Sequence, residues 1–171
     1  MLETFANVAQ VLGGAAVVAA FVFGVAQMRQ FRQQRHDAAA VELMRAMQDT
    51  EFTHSLRLLI GLPPAASARE LRARGESYEA AALAIGTKFE TLGYLVFRGT
   101  MPIELVEALV GGTAVDLWAR LRLWSNAVRE EQNLPLFLEW FQWLAEQMET
   151  RGRPRAVPAF TLHRGWRAPA G

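Results

Sequence analysis

The 171 residues include no cysteine and only three histidines, and these absences limit the chemistry that the protein can perform. Without a thiol, the chain has no disulfide, no thiolate metal ligand and no cysteine nucleophile. The sequence also lacks a G-x-S-x-G nucleophile elbow, an H-E-x-x-H zinc motif and a phosphate-binding Walker loop. These absences favour a protein without catalytic activity and predict no cofactor.

A histidine-based metal site is excluded on spacing. Glu51 and His54 form one E-x-x-H pair on a helix, but a di-iron bundle requires two such pairs and two further carboxylates. Neither His36 nor His163 has a glutamate three residues before it. We therefore expect no metal ion and interpret His54 as a partly exposed helix residue.

One carboxylate leaves an enzymatic hypothesis open. Glu90 follows Phe89 inside an apolar stripe, and a carboxylate beside a core is often paired with an arginine such as Arg57 or Arg120. A site built from scattered carboxylates and arginines is the least favoured of the functional hypotheses, because the sequence names no catalytic partner for Glu90.

Positive charge is scarce in the middle of the chain. Residues 37–150 carry 16 acidic and 10 basic side chains, a balance of −6, although the whole chain has a net charge of +1. An acidic domain repels phosphate. The sequence therefore predicts no nucleic-acid partner.

No charge interrupts residues 8–26, where Gln10 is the one polar side chain. A helix of that length spans about 28 Å, close to the hydrocarbon core of a bilayer. A buried core helix and a cleaved signal peptide are the alternatives, but a signal peptide requires an early positive charge and Glu3 is the first charge here. We expect a retained single transmembrane helix within an anchor of residues 1–28.

The basic cluster that follows the apolar run predicts the orientation. Arg29, Arg32 and Arg35 lie at the membrane boundary, and positive residues remain on the cytoplasmic side. The expected location is the bacterial inner membrane, with the N-terminus periplasmic and the C-terminal domain cytoplasmic. The lipid bilayer is therefore the first predicted partner.

Small residues recur on one side of the predicted anchor, at Gly13, Ala16, Ala20 and Gly24. This spacing lets two helix backbones approach closely in lipid. We expect it to support a homo-oligomer or contact with another membrane-protein subunit, although alanine is also abundant throughout this segment.

The fold class predicted for residues 29–150 is all-α, because no stretch alternates with period two. The transmembrane helix is expected to continue into an irregular cytoplasmic bundle of four to six helices. Gly61 should end one helix, Ser67 should cap the next, Gly111-Gly112 should break a helix that Pro102 begins, and Pro135 should begin the last. The longest predicted helices cover 77–98 and 113–132; the first buries Tyr78, Ala82, Ile85, Phe89, Leu92 and Val96.

Aromatic residues concentrate at 137–143, where Trp140 and Trp143 are three positions apart. The core is the favoured location for this cluster; an interfacial belt or a partner-binding surface is the alternative, with Trp140 and Trp143 as the candidate partner face. Residues 151–171 contain five arginines and no acid, which predicts a basic, extended tail. Such a tail binds lipid, rests on the acidic domain or stays solvated.

Four segments together resemble the bacterial DUF4760 family over roughly residues 38–150. They are Glu42-Leu-Met-Arg45 with Phe52 and Arg57, then Thr87–Gly93, Pro102–Val106 and Trp140–Trp143. The resemblance implies a small protein of unknown function, commonly with an N-terminal membrane helix. It carries over no catalytic residues.

The sequence thus favours a membrane-anchored helical interaction or scaffold protein. The alternative is an accessory subunit of a larger inner-membrane complex, packed through its transmembrane helix.

Overall fold

The computed structural model describes residues 49–151 and 159–167 continuously, together with scattered positions between 21 and 47. Every described position from 21 to 47 is helical. The chain divides into two compact units, Met1–Ala46 and Met47–Gly171. The elements below belong to the second unit.

The second unit is built from helices alone over the described residues, which confirms the all-α prediction. In chain order they are α1 (Thr50–Ile60), α2 (Ala68–Ala73), α3 (Glu76–Phe97), α4 (Ile103–Val106), a π-helix (Glu107–Gly111), α5 (Gly112–Glu131), α6 (Glu139–Arg151) and α7 (Ala159–Leu162). Six of these α-helices begin within residues 29–150, where four to six were predicted, and α7 lies beyond that range. Helices α2, α4 and α7 are short, with six, four and four residues.

The first helices begin and end at side chains that the sequence marks. Asp49 caps α1 by accepting from the backbone N–H of Glu51 at 3.2 Å, and Gly61 follows its last residue. The predicted capping box of α2 is confirmed: Ser67 Oγ accepts from the Glu70 N–H at 3.2 Å, while the Glu70 carboxylate accepts from the Ser67 N–H at 2.8 Å. These bonds satisfy amides that a helix start leaves unpaired.

Helix α3 lies at the centre and packs against α1 and α6, while α5 packs against α6. The predicted apolar stripe of α3 is confirmed, since every member is buried except Tyr78, which is half-buried beneath Arg74. Phe89 stacks on Phe141 at 4.9 Å between ring centroids, and Trp118 meets Phe141 edge-on at 5.2 Å. These rings join α3, α5 and α6 in one core.

The prediction that Gly111-Gly112 breaks a helix is wrong. Both glycines have right-handed helical dihedrals, and the chain passes from α4 through the π-helix into α5 without a turn. Packing explains Gly111 instead, because a Cβ there would lie 3.2 Å from the sulfur of Met148 on α6. The glycine lets the two helices approach.

The prediction that Pro135 begins the last helix is also wrong. Helix α6 begins at Glu139, after turns at 135–138, and Leu138 has a left-handed φ of 55°. A non-glycine residue in that conformation cannot continue a right-handed helix. The buried side chain of Leu138 packs beside Gly86 of α3, where the absent Cβ leaves room.

Among the described helices, α3 has the length and apolar composition of a membrane span, with 22 residues and a mean hydropathy of 1.2. A central core helix meets the same criteria, and 44% of this stretch is buried inside the protein. The predicted anchor at 1–28 lies largely outside the described residues.

Candidate protein-contact surface

Four aromatic rings from α3 and α6 meet at the surface, and we call them the surface aromatic cluster: Tyr94, Phe97, Trp140 and Trp143. The centroid of Trp140 lies 4.6 Å from Phe97, 5.7 Å from Tyr94 and 6.1 Å from Trp143. Phe97 also meets Trp143 edge-on at 5.9 Å. Each ring therefore has defined neighbours.

The cluster is open to solvent although it is made of large apolar groups. Phe97 is 57% exposed and Tyr94 is 45% exposed, while Trp140 and Trp143 are half-buried. Tryptophan and tyrosine are enriched where protein surfaces bind partners, because a rigid ring adds contact area at a low cost in conformational entropy. These four rings are therefore the candidate for a protein-contact surface.

Helix geometry separates these rings from the core. Trp140 and Trp143 are three residues apart and lie on one face of α6, whereas Phe141 and Leu144 point inward and are fully buried. The aromatic segment 137–143 therefore places Phe141 in the core and Trp140 and Trp143 at the surface. Whether the outer pair binds a partner stays a prediction.

Tyr94 and Phe97 were not predicted from the sequence to belong to this surface. They have the same three-residue spacing as Trp140 and Trp143, and they lie off the apolar stripe that Leu92 and Val96 continue. Two aromatic pairs with matching spacing on separate helices were the signal that could have revealed the cluster.

Glu90 caps a helix, and the predicted ion pair with Arg57 or Arg120 is wrong. Its carboxylate accepts a 2.8 Å hydrogen bond from the backbone N–H of Phe141, in the first turn of α6. Burial raises the pKa of Glu90 above its ordinary value, and hydrogen bonds from the Phe141 and Trp140 amides partly offset that rise. A carboxylate at a helix N-terminus also faces the positive end of the helix dipole.

Arg120 forms hydrogen bonds with Asp116 and with the backbone of Leu62, and not with Glu90. Its guanidinium donates to both carboxylate oxygens of Asp116, at 2.9 and 3.0 Å, and to the backbone carbonyl of Leu62. It therefore holds the loop between α1 and α2 against α5, as does the 2.7 Å bond from the Ala65 N–H to the Ala119 carbonyl.

A second polar network joins α2, α3 and α5 around Arg72. Arg72 binds both oxygens of Glu131, at 3.0 and 2.7 Å, and one oxygen of Glu79 at 3.1 Å. The indole of Trp124 donates to the same Glu79 oxygen at 3.0 Å. Hydrogen bonds from Trp124 and Arg72 lower the pKa of Glu79, and Arg72 lowers that of Glu131. The network is structural, because these charged groups already bind one another.

Two shallow depressions accompany these features. One of about 690 Å³ is lined by Ser67, Arg69, Arg72, Leu123 and Glu131. The other, of about 630 Å³, follows the π-helix, with Glu107, Asp116 and Glu149 among its lining residues. The described residues contain no buried side-chain polar atom that lacks a partner. Neither depression therefore contains a buried, unpaired polar group that would indicate a ligand.

Glu51 and His54 are exposed on α1. Within the described ranges, no three histidine or acidic side chains come together as a metal site would require. The candidate helix-association residues Gly13, Ala16 and Ala20 lie outside the described residues, and so do Arg29, Arg32 and Arg35. Gly24 is described: it is helical, and no neighbouring atom lies within 4 Å of where its Cβ would stand.

A family model described as a domain of unknown function, DUF4760, matches residues 9–148. The match covers most of the chain and includes the aromatic residues of α3 and α6. No curated protein matches the sequence. No solved structure matches it either.

Proposed function

We propose that this chain, which belongs to the DUF4760 family, is a membrane-anchored helical protein that binds another protein and has no catalytic activity of its own. The observation that carries the proposal is the surface aromatic cluster on α3 and α6. Its four rings pack against one another; Phe97 and Tyr94 are exposed, while Trp140 and Trp143 are half-buried, as in a binding surface before its partner arrives.

A protein is a better occupant of this surface than a lipid bilayer. The residues from 37 to 150 carry a balance of −6, and the carboxylates of Glu90 and Glu139 lie near the N-terminus of α6. An acidic surface is repelled by anionic lipid. A partner protein with an apolar centre and a basic rim fits both the rings and the charge.

The proposed anchor is the apolar run at residues 8–26, in a bacterial inner membrane with the N-terminus periplasmic. Support comes from the uncharged length, from the arginines that follow it, and from the exposed helical side chains of Phe21, Phe23 and Met28. Anchoring confines both partners to one membrane, which raises their effective concentration.

The partner is either a second copy of this chain or a subunit of a larger membrane complex, and one experiment separates the two. The full chain is cross-linked in native membranes, solubilised and captured with its partners. We expect Phe97→Ser, which replaces an exposed ring of the cluster, to reduce cross-linking on the order of tenfold, as removing an aromatic hot spot does.

Leu83→Ser is the matched control, because Leu83 is exposed on α3 and lies outside the cluster. Cross-linking that survives Phe97→Ser and Trp143→Ser in folded protein would refute the proposed surface. Capture of a foreign membrane subunit in fixed ratio favours the accessory-subunit alternative, whereas recovery of the chain alone favours self-association.

The anchor is tested separately. Replacing Ala16, Ala20 and Gly24 with leucine should abolish association if the small face packs against another helix. Unchanged cross-linking would show that this face takes no part in the contact.

A further inference from the structure

The last described residues, 159–167, form a short ordered segment that we call the C-terminal segment. Helix α7 occupies Ala159–Leu162, and a turn follows in which the Trp166 N–H donates to the His163 carbonyl at 2.9 Å. The prediction of an extended tail is therefore wrong for these positions. Local hydrogen bonds hold this part of the tail in a compact shape.

The segment exposes three large apolar side chains. Phe160 is 76% exposed, Trp166 is 69% exposed and Leu162 is 62% exposed. Three such side chains within seven residues leave a substantial apolar surface in water, and a patch of this kind marks an interaction site.

The charge of the segment has one sign. Arg164 and Arg167 are exposed beside the apolar residues, and residues 152–171 contain no acid. Large apolar side chains interspersed with arginines form the pattern of segments that lie in the headgroup region of an anionic bilayer.

We propose that the C-terminal segment binds the surface of an anionic bilayer and gives the protein a second membrane attachment. The exposed rings of Phe160 and Trp166 supply the apolar contact, and Arg164 and Arg167 supply the attraction to anionic headgroups. The inference rests on the proposed function only in that the anchor brings the segment close to lipid.

The absence of cysteine allows a site-specific test on the full chain. Thr161→Cys gives a unique, exposed attachment point on α7 for an environment-sensitive fluorophore. The labelled protein is reconstituted in vesicles of phosphatidylcholine, with or without phosphatidylglycerol. We expect a blue-shifted emission and quenching by shallow spin-labelled lipids in the anionic vesicles, and a smaller response in the neutral ones.

Substitutions in the segment should remove the response. Phe160→Ser with Trp166→Ser removes the apolar groups, and Arg164→Gln or Arg167→Gln should each lower the docking equilibrium about fivefold. The matched controls are Leu83→Ser and Arg57→Gln, which change exposed residues of α3 and α1. A fluorophore at His54→Cys on α1 reports whether quenching is specific to the segment.

Each result decides the inference. Water-like emission at position 161 in anionic vesicles overturns it. A blue shift that is equally large in neutral vesicles and is not quenched by shallow spin-labelled lipids also overturns it, because the segment would then be packed on protein. Extraction with alkaline carbonate tests the anchor independently. A chain that stays in the membrane but is not quenched at position 161 has the anchor and contradicts this inference. A chain that is extracted but still binds vesicles through position 161 supports this inference and contradicts the anchor.

Discussion

Gly93 and Trp140 bring the backbones of α3 and α6 into direct contact. A Cβ built on Gly93 would lie 2.7 Å from the carbonyl carbon of Trp140 and closer still to its oxygen. No side chain can occupy that space unless the two helices separate. The position of Trp140 in the surface aromatic cluster therefore depends on a residue that contributes no side chain.

Gly93→Ala should destabilise the fold by about 1–3 kcal/mol, as overpacking in a closed space does. The helices must move apart, so the rings of the cluster should move as well, and partner cross-linking should fall. Urea denaturation followed by circular dichroism measures the first effect.

Gly112→Ala is the matched control. Gly112 is exposed and right-handed helical, with no atom within 4 Å of its Cβ position. Alanine there should stabilise the protein by about 0.5–1 kcal/mol. Equal destabilisation by the two substitutions would contradict the close packing of Gly93.

Glu90 and Glu79 should respond to pH in opposite ways. Burial raises the pKa of Glu90 above its ordinary 4.5, so the native state binds the extra proton and the stability contribution of Glu90 falls as pH rises through its folded pKa. Hydrogen bonds from Trp124 and Arg72 lower the pKa of Glu79, so its contribution is present above 4.5 and is lost as pH falls.

The comparison is made with Glu90→Gln and Glu79→Gln, each measured against the unmodified chain. The stability of Glu90→Gln relative to that chain should rise as pH increases above 4.5, whereas that of Glu79→Gln should fall as pH increases up to 4.5. Denaturant unfolding at a series of pH values gives both slopes. Slopes of the same sign would mean that one carboxylate has been assigned the wrong environment.

Substitutions of Phe141 and Phe97 should affect different properties, the first the stability of the fold and the second the binding of a partner. Phe141 is fully buried against Phe89 and Trp118, so Phe141→Ala should cost about 3–5 kcal/mol. Phe97→Ala removes an exposed ring and should cost about 1 kcal/mol or less while weakening partner capture. A large loss of stability from Phe97→Ala would assign its ring to the core.

Ala65 has a left-handed φ of 57° while its N–H is bonded to Ala119. That conformation costs an alanine about 1–2 kcal/mol, part of which glycine recovers, so Ala65→Gly should stabilise the protein by about 0.5–1 kcal/mol. The same change at exposed Ala80 of α3 should cost about 1 kcal/mol. Thermal unfolding of both variants would check the signs; destabilisation by Ala65→Gly would show that the conformation is not strained.

The sequence predicted the helices well where the determining contacts lie within a few residues of one another along the chain. The Ser67–Glu70 capping box and the spacing of Ala82, Ile85 and Phe89 are of this kind. The predictions failed at Gly111-Gly112 and at Pro135, because contacts distant in sequence determine the backbone at Gly111 and at Leu138. Gly111 accommodates Met148, and Leu138 fits beside Gly86.

The candidate surface was half predicted for the same reason. Trp140 and Trp143 were identified from their spacing, whereas Tyr94 and Phe97 join them only because α3 crosses α6 at Gly93. The role of Glu90 was not predicted because it binds a backbone amide of α6, and every residue type except proline has such an amide. Membership of the DUF4760 family was recognised because its segments are distributed along the chain.

The π-helix at Glu107–Gly111 contains one residue more than an α-helical turn needs to connect the same neighbouring residues. Leu109 is exposed within this turn. A chain one residue shorter at this point could close as an ordinary α-helix, with α5 still in register against α6. The segment is therefore a place where insertion and deletion can alter the length of the protein without reorganising its core.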